Sequence, residues 1–402
     1  MVNCTGEGVP FAEAISDSEI EVLGGVTLLN DPSKLRNLVL TFDSAGNVTE
    51  LPLLTVQVTS FKCGGFVLGI GMNHCMTDLK TLMEFINSWA EIALGFPLTI
   101  LPSLDRSVLR ARKPAKIELA HNEFEKNEKL FNSLSPHQEE QLLYRSFSFN
   151  PEKITQLKRI AMEDGVIKKC TNFTVLSAFL WRARTRALKI DPNQQLWMCG
   201  ELSKNPLSFA VKLVQEAIEL VTDDYIRSAI DYFEITRGKT TMENTLLISK
   251  WTRLPLYSAN FSWGDPIRVG LATIKHNWAL FVPDGKESKN TIVPLCLPVS
   301  AMKIFQEMMQ FSSILKSSSQ HVQKPKKQKT EPTSAATPTA AILISSAEME
   351  EGYGGQGQHN SAVPKPNLAS SLSFRGDNWA SSHSMQDTRN SATDINISLP
   401  GA

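Results

Sequence analysis

His74, Cys75 and Asp78 fall within five residues of one another in the stretch GMNHCMTDLKTLMEF, residues 71–85. A neutral imidazole accepts a proton near pH 7, and a positioned base of this kind contributes roughly 10²–10⁴-fold to a rate. Asp78 can orient the ring, or it can be a purely structural carboxylate. A zinc reading would use His74, Cys75 and Asp78 together, but it lacks the second ligand cluster expected for a tetrahedral site. A third reading is a core histidine followed by a helix cap. Spacing alone leaves these alternatives open.

The elements on either side limit where the histidine can sit. LTVQVTSF (54–61) alternates strictly, with Leu54, Val56 and Val58 on one face and Thr55, Gln57 and Thr59 on the other, which predicts a half-buried strand. KCGG supplies Gly64 and Gly65 for a tight turn, and FVLGIGMNH follows as a more uniformly apolar partner strand. His74 then stands at a strand end. Thr77 or Asp78 can cap a helix whose apolar stripe is Leu82, Phe85, Ile86, Trp89 and Ala93, stopping at Gly95.

Asn150, Pro151 and Gly165 bracket a second helix, and TNFTVLSAFLWRARTRALK predicts a third, with Leu176, Phe179, Leu180, Ala183 and Ala187 inward and Arg182, Arg184 and Arg186 more outward. NPLSFAVKLVQEAIELV and DDYIRSAIDYFEI continue the helical period. Beyond them TLLISKWTRL, YSANFSWG and TIVPLCLP are short β-branched or aromatic runs, and SAMKIFQEMMQFSSIL is an amphipathic helix. The fold class is mixed α/β.

A chain of 402 residues with 42% hydrophobic content can build a substantial core. Its 41 basic and 41 acidic residues give no overall field favouring nucleic acid or an anionic membrane. Six cysteines are scattered without a framework, no signal core opens the chain, and no apolar run approaches bilayer length, so the expected setting is cytoplasmic. From about residue 318 the composition turns to Ser, Thr, Pro, Gln and Gly, which predicts a disordered tail over 318–402. Its KPKKQK run is read as a solvated linker before any targeting signal.

A second box, ANFSWGDP at 259–266, follows in chain order. Together with the His74 box it resembles the two signature motifs of the BAHD acyl-CoA-dependent acyltransferases, His-x-x-x-Asp-Gly and Asp-Phe-Gly-Trp-Gly. Residues 1 to about 311 share the resemblance, most closely with members that move hydroxycinnamoyl groups onto long-chain alcohols or ω-hydroxy fatty acids. It implies a two-domain chloramphenicol-acetyltransferase-like α/β architecture, split as 1–190 and 191–317. His74 is then the base and Asp78 a structural residue. Trp263 is expected beside the developing oxyanion, with Asn260 and Gly264 as structural members of the second box. Acyl-CoA enters as co-substrate, with no metal or further cofactor, and a monomer is expected.

The resemblance has gaps. Leu79 and Ser262 stand where the family has glycine, and Asn260 where it has an aspartate that pairs with an arginine. The stretch QQLWMCGELSKNPLSF skips the family's central strand, and the family's first strands are expected upstream of Val2. Two readings follow: an active O-acyltransferase, or a catalytically impaired relative that binds ligand or partner.

Overall fold

A computed structural model describes residues 6, 8–23, 35–42, 51–74, 76–103, 105–121, 140–189, 197–236, 246–272, 274–310 and 397–399. Apart from 397–399, the segment expected to be a disordered tail lies outside the described residues.

The first sheet holds β1 (Phe11–Ser16), β2 (Leu54–Phe61) and β3 (Phe66–Met72) in that order. β1 runs parallel to β2, and β2 and β3 form an antiparallel hairpin closed by Gly64 at φ +82°. The strict alternation of β2 led to the expectation of one solvated face. Instead Thr55, Gln57 and Thr59 are all buried. The segment at residues 37–40 lies against that face, and Leu40 O accepts from Thr55 Oγ1 while Asn37 O accepts from Gln57 Nε2, both at 2.8 Å. Polar side chains tolerate burial here because they are hydrogen-bonded.

β3 then leads to α1 (Leu79–Ala93). α1 turns Met83, Ile86 and Ala90 inward, so the buried stripe is rotated from the expected one and Phe85 is exposed.

The second sheet is larger. β4 (Leu142–Phe149) leads into α2 (Pro151–Met162), α3 (Asn172–Ala187), α4 (Trp197–Lys204), α5 (Leu207–Leu220) and α6 (Asp223–Thr236). β5 (Leu246–Lys250), β6 (Trp278–Pro283), β7 (Thr291–Pro298), α7 (Val299–Met309) and the short β8 (Ile397–Leu399) follow. The strand order is β4-β7-β6-β5-β8. Thus three residues of the expected disordered tail pair antiparallel with Leu246–Ile248. β6 is a continuous apolar run, WALFVP, buried on both faces, and such a strand carries no polar–apolar alternation.

Helices and sheets stack in layers. One face of the second sheet (Leu246, Ile248, Phe281, Val293, Leu297) packs with α2, α3, α5 and α7 in a single core. Its other face offers Leu280, Val282 and Cys296 to a second core, shared with α1, the first sheet and residues 251–274. The first of these cores runs from Phe149 to Phe305 and includes residues on both sides of position 190.

α3 lies at the centre of the helical layer and is buried nearly all round, which also corrects the outward reading of Arg184, only 7% exposed. Arg182 and Arg186, half-buried, donate to Leu202 O and Ser203 O in the last turn of α4. Cations there offset the negative end of that helix.

Candidate active site

Met72 ends β3, Asn73 N donates to Leu53 O at 2.9 Å, and a turn closed by Met76 N on Asn73 O carries the chain round His74. The imidazole is half-buried, with Nδ1 shielded from solvent. Asp78 Oδ1 accepts from Thr81 N at 3.0 Å, and its backbone is extended, as an N-cap requires. The carboxylate of the first box therefore starts the helix that follows the histidine. Cys75 lies outside the described residues, so the zinc reading gains no geometry.

Leu79 does not disturb this arrangement. It is the first residue of α1, with helical backbone, and its side chain packs against the second core.

Two glycines of β3 matter more. A Cβ at Gly69 would lie 1.8 Å from Leu38 O, and one at Gly71 would lie 2.5 Å from Thr55 Oγ1. Glycine at both positions lets residues 37–40 cross the hairpin that ends at His74. The GIG spacing was a signal of close backbone approach, although it could not say which segment approaches.

The second box is a loop, not the short strand expected from YSANFSWG. Asn260 Oδ1 accepts from Ser262 N at 2.8 Å, a local turn that a carboxylate would make equally well. Ser262 is held at φ +78° and Gly264 at φ +95°. The first of these is a left-handed backbone on a residue with a Cβ.

The structure does not bring Trp263 to His74. Its ring meets Phe66 edge-on, centroids 5.3 Å apart, and the residue is 75% exposed. Phe66 begins β3 and Met72 ends it. At about 3.4 Å per residue the strand places roughly 20 Å between them. Trp263 therefore contacts the far end of the strand, and the expected indole donor beside the oxyanion is not supplied by this geometry. Instead the second box packs on the elements that flank the first: Phe66 at the start of β3 takes Trp263, and Trp89 of α1 takes Phe261 edge-on at 5.3 Å.

Cys296, on the second sheet, offers no competing nucleophile. Burial pushes the Cys296 thiol up to about 11, although its contact with Tyr144 pulls the other way, so it is a poor nucleophile. The small cavity lined by Leu180, Arg184, His276, Cys296 and Phe305 has about 10 Å³ of room, enough for a single water.

Two sheets flanked by helices, with a histidine between a strand end and a capped helix, define a protein of the two-sheet α/β class. The same fold is seen in the crystal structure of vinorine synthase, which superposes with a TM-score of 0.52 at 18% identity over 75% of this chain and 76% of that one. The model of the Transferase family matches residues 1–199 and 196–312, two stretches that meet between α3 and α5. An Arabidopsis thaliana omega-hydroxypalmitate O-feruloyl transferase is 44% identical over 341 residues, 76% of this chain and 74% of that protein. A fatty alcohol:caffeoyl-CoA acyltransferase from the same plant is 42% identical, over 77% of this chain and 79% of its own length. The chain belongs to the Transferase family, the BAHD acyltransferases that its two boxes resemble.

Proposed function

We propose that the chain transfers a hydroxycinnamoyl group, of the feruloyl type, from its CoA thioester to the hydroxyl of a long-chain alcohol or ω-hydroxy fatty acid. The observation that carries this reading is the 44% identity to a feruloyl transferase. It is supported by His74, which stands between the end of β3 and the helix on which the second box packs.

His74 takes the acceptor's hydroxyl proton as the oxygen attacks the thioester carbonyl. The tetrahedral adduct collapses, the C–S bond breaks, and the CoA thiolate leaves with the proton returned from the imidazolium. Donor and acceptor react directly, so no acyl-enzyme forms. The chain acts as a cytoplasmic monomer without a metal or resident cofactor. Among the described residues no helix is long and apolar enough to cross a membrane.

A second reading, a non-catalytic relative that binds ligand or partner, is favoured by Trp263, which projects into solvent. One experiment separates the two. Purified chain is incubated with feruloyl-CoA and a long-chain alcohol, and free thiol and ester are measured. The transferase reading expects both products from wild type and a fall of about 10²–10⁴-fold in His74→Ala. A folded wild-type sample that releases no thiol across a panel of acceptors leaves the non-catalytic reading.

A further inference from the structure

α1 is apolar on two sides. Besides its buried stripe, Phe85 and Ile92 are 44% and 60% exposed, and Trp89 between them is half-buried. Residues four and seven positions apart share one helix face, so the three make a single stripe. Trp89 hands this stripe to the second-box loop through Phe261. Two residues further, Trp263 stacks edge-on with the exposed Phe66, and Ile267 beyond it is 82% exposed. The result is a ridge of aromatic and aliphatic side chains built from three separate segments. An exposed patch of this kind marks an interaction surface.

Cations lie along its margin. Arg268 Nη1 donates to Ile267 O, which folds the guanidinium back beside the exposed isoleucine. Lys62 is exposed in the hairpin turn that leads to Phe66. Lys286, nearby, is ion-paired with Asp265 in the loop between Trp263 and Ile267 and adds no net charge there, so Lys62 and Arg268 carry the rim. Indole and phenyl rings with basic residues at the rim match the boundary of a bilayer, where apolar side chains enter and cations meet anionic headgroups.

We infer that this ridge docks the protein on a lipid surface, from which a long-chain acceptor would be taken. The acceptor clause rests on the function proposed above; the surface itself does not. A long-chain alcohol resides in membranes far more than in water, since each methylene favours the apolar phase. An enzyme seated at the boundary meets its acceptor there.

The test uses the full chain and vesicles of phosphatidylcholine with and without phosphatidylserine. Wild type should float with the vesicles, more so with phosphatidylserine, and the F85S/I92S/I267S variant should float at least tenfold less. Lys62→Glu and Arg268→Glu should each weaken binding to the anionic vesicles about fivefold or more. Turnover with a short, water-soluble alcohol should be the same in wild type and the ridge variant. Wild type that stays in solution with both vesicle types, or a ridge variant that floats as well as wild type, overturns the inference. So does sedimentation showing a wild-type dimer that the ridge variant dissolves without any flotation, which would assign the ridge to a second copy. If wild type floats but turns over no alcohol of any length, the docking surface stands and the proposed activity fails.

Discussion

Ser262 holds a backbone φ of +78° that glycine would adopt without strain. The left-handed region costs a residue with a Cβ about 1–2 kcal/mol, and part of that is offset by the lower unfolded-state freedom of serine. Ser262→Gly should therefore raise the thermal midpoint, by about 1 kcal/mol in stability, because the Asn260–Ser262 hydrogen bond uses backbone and survives. Leu79→Gly should act in the opposite direction. It removes a side chain packed on the second core from the first turn of α1, at a cost of about 1–2 kcal/mol. Asn260→Asp should change stability little, whereas Asn260→Ala should lose about 1 kcal/mol with the turn. These three positions look alike in sequence, each departing from the resembled family's pattern. Only the dihedrals and contacts separate a strained departure from an accommodated one.

For the elements, the hairpin carrying His74 depends on a segment its own sequence does not announce. Strand boundaries, the Gly64 turn and the Asp78 cap were legible because each is a local pattern. The burial of Thr55 and Gln57 was not, because their acceptors lie 15 and 20 residues upstream. Gly69→Ala should be severely destabilising, since the new methyl meets backbone at Leu38 O, and circular dichroism melting should show a lower midpoint or no cooperative transition. Gly71→Ala should be milder: the atom it meets is a side-chain oxygen, which can rotate away with the loss of its bond to Leu40 O.

At the scale of the whole molecule, the α/β class and the helices of the middle region were readable from period and capping, as Asn150 shows. Strand pairing was not, because no local pattern says that β7 lies between β4 and β6. Nor did any signal predict the strap at residues 105–121, which is tied across α6. Asp231 there is 0% exposed and accepts from Arg112 N, Arg112 Nε and Lys116 N, while Ser228 Oγ accepts from Glu118 N and Leu119 N. Desolvation pushes the Asp231 carboxyl up, but the hydrogen bonds from Lys116 and Arg112 outweigh it and hold it below the usual range. A depressed carboxyl stabilises the fold above its unfolded value, near 4, and that contribution is lost as pH falls through the folded one. Asp231→Asn should lower the melting midpoint at neutral pH and flatten its decline in acid, a difference that parallel melts across pH would detect.

The ladder between β4 and β7 also governs when this protein can exist at all. It pairs Leu142 with Pro298 and Phe149 with Thr291, positions roughly 150 residues apart. At about 5–20 residues per second, a ribosome delivers β4 many seconds before its partner. Through that interval the apolar faces of β4, α3 and α5 have no sheet to close on, and they are open to chaperones or to neighbouring nascent chains. Chains arrested before residue 291 should therefore be recovered with chaperones, and those released beyond residue 309 should not. Yield of the folded protein is set in those seconds of synthesis, by the order in which its strands arrive.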